Sequence, residues 1–322
     1  MKGCARSCLL WLVGWAALGG AFFFYLRQLG VYVPQLWWAA GGAGFCAVCA
    51  ISYAIAIRGF AKERSMLLES MVGKPPNDGE WVAVSGTIRS AEPLRTPLTG
   101  TPAVAYEYDI YRIESSRGRN SSSHKHSYYE GKALAPSTIS TRQGAVRLLA
   151  VPTLDVPNEN ILTEAGTINA RQYVSETTFQ TRSTPKGAKI GLEQEMADDD
   201  GMFRLDKMSE SAPEVDIADC QLTEKSIKQG EAVCAFGLYS AARGGLIPHP
   251  NWAKQARLMR GDATTVANQL RSRMIKYVFG ILIFGGAAFG IVKLYEYHVR
   301  TQTAAYSVGS SQKHCKLPTA VL

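Results

Sequence analysis

Charge is what this chain of 322 residues lacks, in three stretches. No Asp, Glu, Lys or Arg falls between Cys8 and Leu26, between Leu36 and Ile57, or between Tyr277 and Val292. Runs of that kind exclude a wholly water-soluble fold and are what a helix crossing hydrocarbon needs. Catalytic signatures are also missing: there is no Gly-x-Ser-x-Gly elbow, phosphate loop, His-Glu-x-x-His helix or dinucleotide fingerprint. Their absence weakens the case for an enzyme without removing it. The seven cysteines, Cys4, Cys8, Cys46, Cys49, Cys220, Cys234 and Cys315, are odd in number, and more than two lie in or beside apolar segments. They suggest no disulfide framework.

The 46% hydrophobic content is ordinary only as an average, because the apolar residues are piled at the two ends and the middle is polar. Two solvents are implied. The first run, 19 residues, reaches roughly 28 Å as a helix, close to the hydrocarbon thickness. Lys2 and Arg6 before it would also suit a secretory signal, but its apolar core is longer than the usual h-region and a second run follows at once. That second run has 22 residues. Trp37 and Trp38 at its start, with Tyr25 and Tyr32 near the turn at Pro34 and Gln35, suit a headgroup boundary. Cys46 and Cys49 have redox spacing but lie mid-segment, where small packing residues are the better reading.

The third run has 16 uncharged residues, roughly 24 Å, which Lys276 and Lys293 extend by snorkelling and Tyr295 and Tyr297 by anchoring. Gly286 and Gly290 form a GxxxG pair for helix association, against the hairpin or another helix, or are ordinary membrane glycines. Lys2 and Arg6, then Arg58, Lys62 and Arg64, then Arg271, Arg273 and Lys276 all fall on one side of a three-span arrangement. The expected architecture is a hairpin at 1–58, a soluble region at 59–273 facing the cytoplasm, a third span at 274–294, and a tail at 295–322 on the opposite side. The net charge of +8 gathers at the segment edges, so anionic lipid headgroups are the first partner expected. The approach to span three, Lys254 to Lys276, has six basic residues against Asp262. These either bind anionic lipid or only fix topology. Asp262 is a good N-cap for the helix from Ala263 through Lys276.

Between spans two and three the pattern is mainly β. Glu80 to Arg89, Ala105 to Ile113, Ala145 to Val151 and Ala232 to Tyr239 are short β-branched and aromatic runs separated by turn formers. Phe60 to Met71 is helix-like, and Gly73 to Gly79 stops it. Gly79-Glu80-Trp81-Val82-Ala83-Val84-Ser85-Gly86 is echoed by Gly230-Glu231-Ala232-Val233-Cys234-Ala235-Phe236-Gly237. The echo is either one strand design used twice or coincidence, and its internal glycines suit the corners of a small barrel. Thr153 to Asp219 mixes turn formers and charges and reads in part as loop. Its run Ala197 to Gly201 lacks calcium-loop spacing and reads as a solvated turn. Ser115 to Ser127 reads as a long hairpin loop. The fold expected is a three-span α-helical membrane protein carrying an α+β, small-barrel-like domain.

Chemistry-bearing residues are few. His124 and His126 have strand spacing for two metal ligands, but no third is near, and exposed loop histidines are the better reading. No cofactor is expected. Arg112, Arg117, Arg119 and Lys125 make a basic, tyrosine-flanked loop, which reads as a solvated hairpin, not a nucleic-acid site.

Gly86-x-Ile88, then Pro93-Leu94, then Pro97-Leu98-Thr99-Gly100-Thr101-Pro102, then Tyr106 leading into a strand, resembles the GIDE domain of the mitochondrial ubiquitin ligase activator family and its prokaryotic relatives. Ile227 to Gly237, with Gly230 and Gly237, is similar to that family's second strand motif, and a helix entering the membrane after it fits. The resemblance covers roughly residues 79–295 and implies a scaffold role for these positions. Members with ligase activity carry a RING after the last span, holding two zinc ions on eight ligands. Here His298, His314 and Cys315 are all that follow, too few even for one structural zinc. The two-span hairpin departs from the single span expected ahead of the domain in the mitochondrial members. The expectation is therefore a membrane-anchored, non-catalytic module that binds a protein or envelope component; an E3-ligase-like subunit lacking its own RING is the alternative.

Overall fold

The computed structural model describes residues 2–28, 36–72, 76–115, 123–181, 197, 201–250 and 255–313. The turns expected at 29–35 and 73–75, Arg117, Arg119, Asp198 to Asp200, Lys254, His314 and Cys315 lie outside them. Helices α1 (Lys2–Gln28) and α2 (Leu36–Val72) open the chain. Strands β1 (Trp81–Ser90), β2 (Leu94–Arg95), β3 (Pro102–Ala103), β4 (Ala105–Ser115), β5 (Ser123–Leu134), β6 (Ser137–Thr141), β7 (Gly144–Leu148), β8 (Thr153–Asp155) and β9 (Glu159–Ile161) follow. Helix α3 (Glu164–Glu176) precedes β10 (Gln180–Thr181), β11 (Phe203–Met208), β12 (Gln221–Ile227), β13 (Ala232–Ser240), β14 (Gly245–Ile247) and β15 (Arg257–Arg260). Helix α4 (Ala263–Lys313) ends the described chain. Two compact units result, Glu63–Leu270 and Lys2–Lys62 with Arg271–Leu322.

Among the described residues three helices are long and apolar enough to cross a membrane: Cys8–Gln28 in α1, Leu36–Val72, and Ala263–His298 in α4. The helix expected at 60–71 is continuous with the second apolar run, and α4 continues well past residue 294, because residues 293–308 contain neither proline nor glycine. Within the helical unit α1 and α2 meet through small residues. A Cβ on Gly44 would lie 2.6 Å from the Gly19 nitrogen, so only glycine permits that approach. Trp15 Nε1 donates to the Gly41 carbonyl at 3.0 Å, and Phe23 stacks on Trp37. In α4 the glycine that packs is Gly280, against the Tyr53 ring. Gly286 and Gly290 have nothing within 4 Å of where a side chain would begin, so they are not used against the hairpin.

The other unit is built on a closed barrel of five strands in the circular order β1-β6-β7-β14-β13, closed by pairing of β13 with β1. Every pairing is antiparallel except β7 with β14. Numbered along the chain, the order is 1-2-3-5-4 with strands three and five parallel, the Greek-key order of an OB-type barrel. Ile88, Ile139, Val146, Leu148, Val233 and Leu246 form its core, with Leu258 of β15 in the same cluster. Ile88 and Ile139 alternate with polar neighbours at the period of a strand, whereas β13 is buried at every position from Val233 to Gly237. β15 and β8 extend the sheet from β13. A second sheet, β10-β11-β5-β4-β12-β9, is inserted between barrel strands, and its own core includes Tyr106, Tyr108, Ile110, Tyr129 and Leu222 with Ala170 of α3. Thr163 caps α3 by accepting from the Gly166 N–H at 3.2 Å.

Residues 153–219, expected in part as loop, thus supply β8 to β11 and α3. The loop expected over 115–127 is shorter, since β4 and β5 pair out to Ser115 opposite Ser123. His124, Lys125 and His126 are strand residues, and Lys125 bridges Asp109 at 2.7 Å while lying 3.9 Å over the Tyr111 ring.

The echoed octapeptides turn out to be neighbours. β1 and β13 pair antiparallel, Ser85 opposite Cys234, and an approximate two-fold axis between them relates residue n to residue n plus 151. Gly79 N–H donates to Tyr239 O and Gly230 N–H to Ile88 O, both at 2.9 Å. Tyr239 N–H donates to Glu80 O at 2.9 Å and Ile88 N–H to Glu231 O at 3.0 Å. Even the entering turns agree: Glu80 N–H donates to Asn77 O and Glu231 N–H to Lys228 O, both at 3.3 Å, with Gly79 and Gly230 at φ +72° and +83°.

Candidate interaction groove

The positions singled out in the sequence have structural work around them. Gly86 stands where β1 crosses β6, and a Cβ there would overlap the Ser140 carbonyl. A Cβ on Gly237 would press on Leu246. Pro93 and Leu94 lead into β2, and the segment from Pro97 through Gly100 to Pro102 loops back to β3. That loop is held by Glu224 of β12, which is 2% exposed and accepts from Leu98 N–H at 2.9 Å, Thr99 N–H at 3.4 Å and Thr99 Oγ1 at 2.7 Å. Asn169 of α3 donates to the Leu98 carbonyl at 3.0 Å.

Tyr106 belongs to a second buried network. Asp206, 6% exposed, accepts from Tyr108 Oη at 2.7 Å, Tyr173 Oη at 2.8 Å and Arg204 Nε at 2.8 Å. Tyr106 Oη lies 3.4 Å from Tyr173 Oη. Burial first, then the Asp206 carboxylate for Tyr108 and the Tyr106 hydroxyl followed by Asp206 for Tyr173, pushes both phenols above their ordinary range, so both stay neutral donors. Glu224 and Asp206 are each saturated by protein donors, which makes them fasteners of the second sheet rather than acids facing a substrate. Neither was singled out from sequence, because a lone Asp or Glu among polar residues gives no sign of its burial.

The basic residues around the second and third apolar runs lie on α2 and α4. Arg58, Lys62 and Arg64 are on α2, the last half-buried; Arg271, Arg273 and Lys276 are on α4. Asp262 caps α4 as expected, accepting from Thr265 N–H at 2.9 Å and Thr264 Oγ1 at 2.6 Å. Those bonds hold its carboxyl low, at about 2. Among the described residues no three His, Cys, Asp or Glu side chains are grouped to hold a metal. His126 lies against Tyr128 at 4.7 Å and 3.3 Å from Ser211 Oγ, and His124 has its own partner.

What the motifs did not reveal is a groove beside β1. Strand β1 pairs with β13 over Trp81 to Thr87 on one side, but with β6 only over Thr87 to Ser90 on the other. Among the described residues no strand covers the second side from Trp81 to Gly86. The register decides which groups are left. Glu80 and Ile88 bond towards β13, so the intervening Trp81, Ala83 and Ser85 direct their N–H and C=O groups the opposite way, into the groove. Its walls are Met66, Glu69 and Ser70 at the end of α2 and Thr141, Gln143 and Val146 at the β6–β7 turn. Glu80 stands at one end, and among the described residues its carboxylate accepts only from Asn77 Nδ2 of its own turn, at 2.9 Å. Among the described residues no Lys or Arg lines the groove.

No family model matches the chain, and neither a curated protein nor a solved structure is detectably similar to it.

Proposed function

We propose that this chain is a multi-pass membrane protein whose β-rich unit is a non-catalytic, GIDE-like module that takes a protein partner along the free edge of β1. The observation that carries the reading is that edge: three residues of strand backbone, half-buried in a walled groove and left without a strand. Exposed edges of this length are normally covered or blunted by charge, proline or a bulge. Three apolar helices of sufficient length support the membrane anchorage. The clusters at Arg58, Lys62 and Arg64 and at Arg271, Arg273 and Lys276 support a cytoplasmic module near anionic headgroups, each basic residue near the surface adding about 1 kcal/mol. The GIDE resemblance of Gly86 to Tyr106 supports the scaffold and not a ligase activity.

A photo-crosslinking residue at Gln143, in the full chain in native membranes, tests this. The expected result is a discrete adduct that is missing when the same residue sits at exposed Ser175 on α3. No adduct at Gln143, or the same adducts at both positions, would refute the reading. For sidedness, a membrane-impermeant maleimide on intact cells should miss a cysteine placed at Ser175 and reach Cys315; the reverse pattern places the module on the other face.

A further inference from the structure

We infer that the groove receives an extended peptide as an added antiparallel β-strand, with an arginine or lysine of that peptide paired to Glu80. The inference rests on the interaction-module reading and names the partner's chemistry. Its basis is the two-fold relation between β1 and β13. Residues Ala232, Cys234 and Phe236 of β13 are the mates of Trp81, Ala83 and Ser85, and on β13 that same edge is occupied. β15 lies there antiparallel, Arg260 opposite Val233 and Arg257 opposite Phe236, with Gly261 N–H donating to Ala232 O at 2.8 Å. The barrel therefore already accepts a strand at the position that stands open on β1.

The mate also tells what the incoming strand carries. Arg260 Nε donates to Glu231 Oε2 at 3.1 Å, and the mate of Glu231 is Glu80. A basic residue opposite Val82 would meet Glu80 as Arg260 meets Glu231. The lining agrees in charge: Glu69 and Glu80 are acidic, and among the described residues nothing in the groove is basic. Strand addition draws its affinity from backbone hydrogen bonds and its selectivity from alternate side chains. Here the backbone groups are those of Trp81, Ala83 and Ser85, and the selective contact is the Glu80 pair.

The probe is a synthetic heptapeptide with the order of residues 255–261, Gln-Ala-Arg-Leu-Met-Arg-Gly. It is added to the full chain in phosphatidylcholine nanodiscs, which offer no anionic headgroups to compete for it. Amide hydrogen exchange should slow at least tenfold at Trp81, Ala83 and Ser85 and stay unchanged at Val82 and Val84, whose N–H groups already bond to β13. A peptide N-methylated on the alternate amides that face β1 should give no protection, and Glu80→Lys, at an exposed side chain, should weaken binding at least tenfold. Equal protection by the methylated peptide, protection confined to other segments, slow exchange of Ala83 and Ser85 before any peptide is added, or pairing of two β1 edges from two copies would overturn the inference. A Gln143 adduct obtained alongside a silent peptide leaves the module reading standing and removes strand addition. Silence in both removes both.

Discussion

Strands β1 and β13 share a turn, a glutamate and two glycines at matching places, yet β13 has neighbours along both edges and β1 has one edge half empty. Their likeness is what makes the difference informative. If β1 alone were seen, an open edge could pass as the ragged end of a barrel; beside β13 it is a site whose counterpart is filled. The comparison also separates what the repeated residues do for the fold from what they leave available. Gly79, Gly86, Gly230 and Gly237 serve backbone geometry in both copies, whereas the Glu231 carboxylate is engaged by Arg260 and that of Glu80, among the described residues, only by Asn77.

The hardest test of this pairing is at the internal glycines. Gly86→Ala drives a Cβ into the Ser140 carbonyl, a backbone atom, and should cost about 3 kcal/mol or more, seen as a large fall in the thermal midpoint of the full chain in nanodiscs. Gly237→Ala meets Leu246 Cβ at 3.1 Å, which needs to give by only a few tenths of an ångström, and should cost about 1 kcal/mol. Equal losses would mean that the two copies are not distinguished at their corners. Next comes the filled against the empty edge: Arg260→Ala strips Glu231 and the Ser226 carbonyl of a donor and should cost about 1–3 kcal/mol, while Glu80→Ala should change the midpoint little. A large loss at Glu80 would show that it is already structural.

Gly79→Ala and Gly230→Ala should each cost about 1–2 kcal/mol, since both turns hold φ near +80°, where an alanine is strained. Unequal losses would break the two-fold relation at its turns. The smallest effect concerns the cap that follows β15. The Asp262 carboxyl is held near 2, below its unfolded value of about 3.9, so its contribution is complete above pH 4 and fades as the pH falls towards 2. Exchange at Thr265 should quicken over that window, and Asp262→Asn, which keeps an acceptor but cannot titrate, should abolish the change. Persistence of the change in the variant would assign it to another group.

The apolar helices and the longer strands were readable because their patterns are local. Glu80 to Arg89, Ala105 to Ile113, Ala145 to Val151 and Ala232 to Tyr239 overlap β1, β4, β7 and β13. Strands of two or three residues such as β8, β9 and β10 exist only because a neighbour pairs with them, and nothing in Thr153 to Asp155 or Gln180 to Thr181 marks them alone. β5 was hidden for another reason: its Ser, His and Lys residues resemble a loop, and only pairing with β4 makes them a strand. The groove was half legible. The echo of Gly79 to Gly86 pointed to the two strands that matter, but which edge stays uncovered is a property of register.

The two-fold pair also has a consequence in time. β1 and its partner β13 are separated by about 150 residues of sequence, and the barrel cannot close until β13 and β14 have been made. At ribosomal rates of 5–20 residues per second, β1 waits on the order of 10–30 s without its neighbour. During that interval the hairpin of β4 and β5, which is local, can form first. That hairpin therefore has the means to act as an early platform, on which β11 and β12 complete the inserted sheet only shortly before β13 arrives to close the barrel.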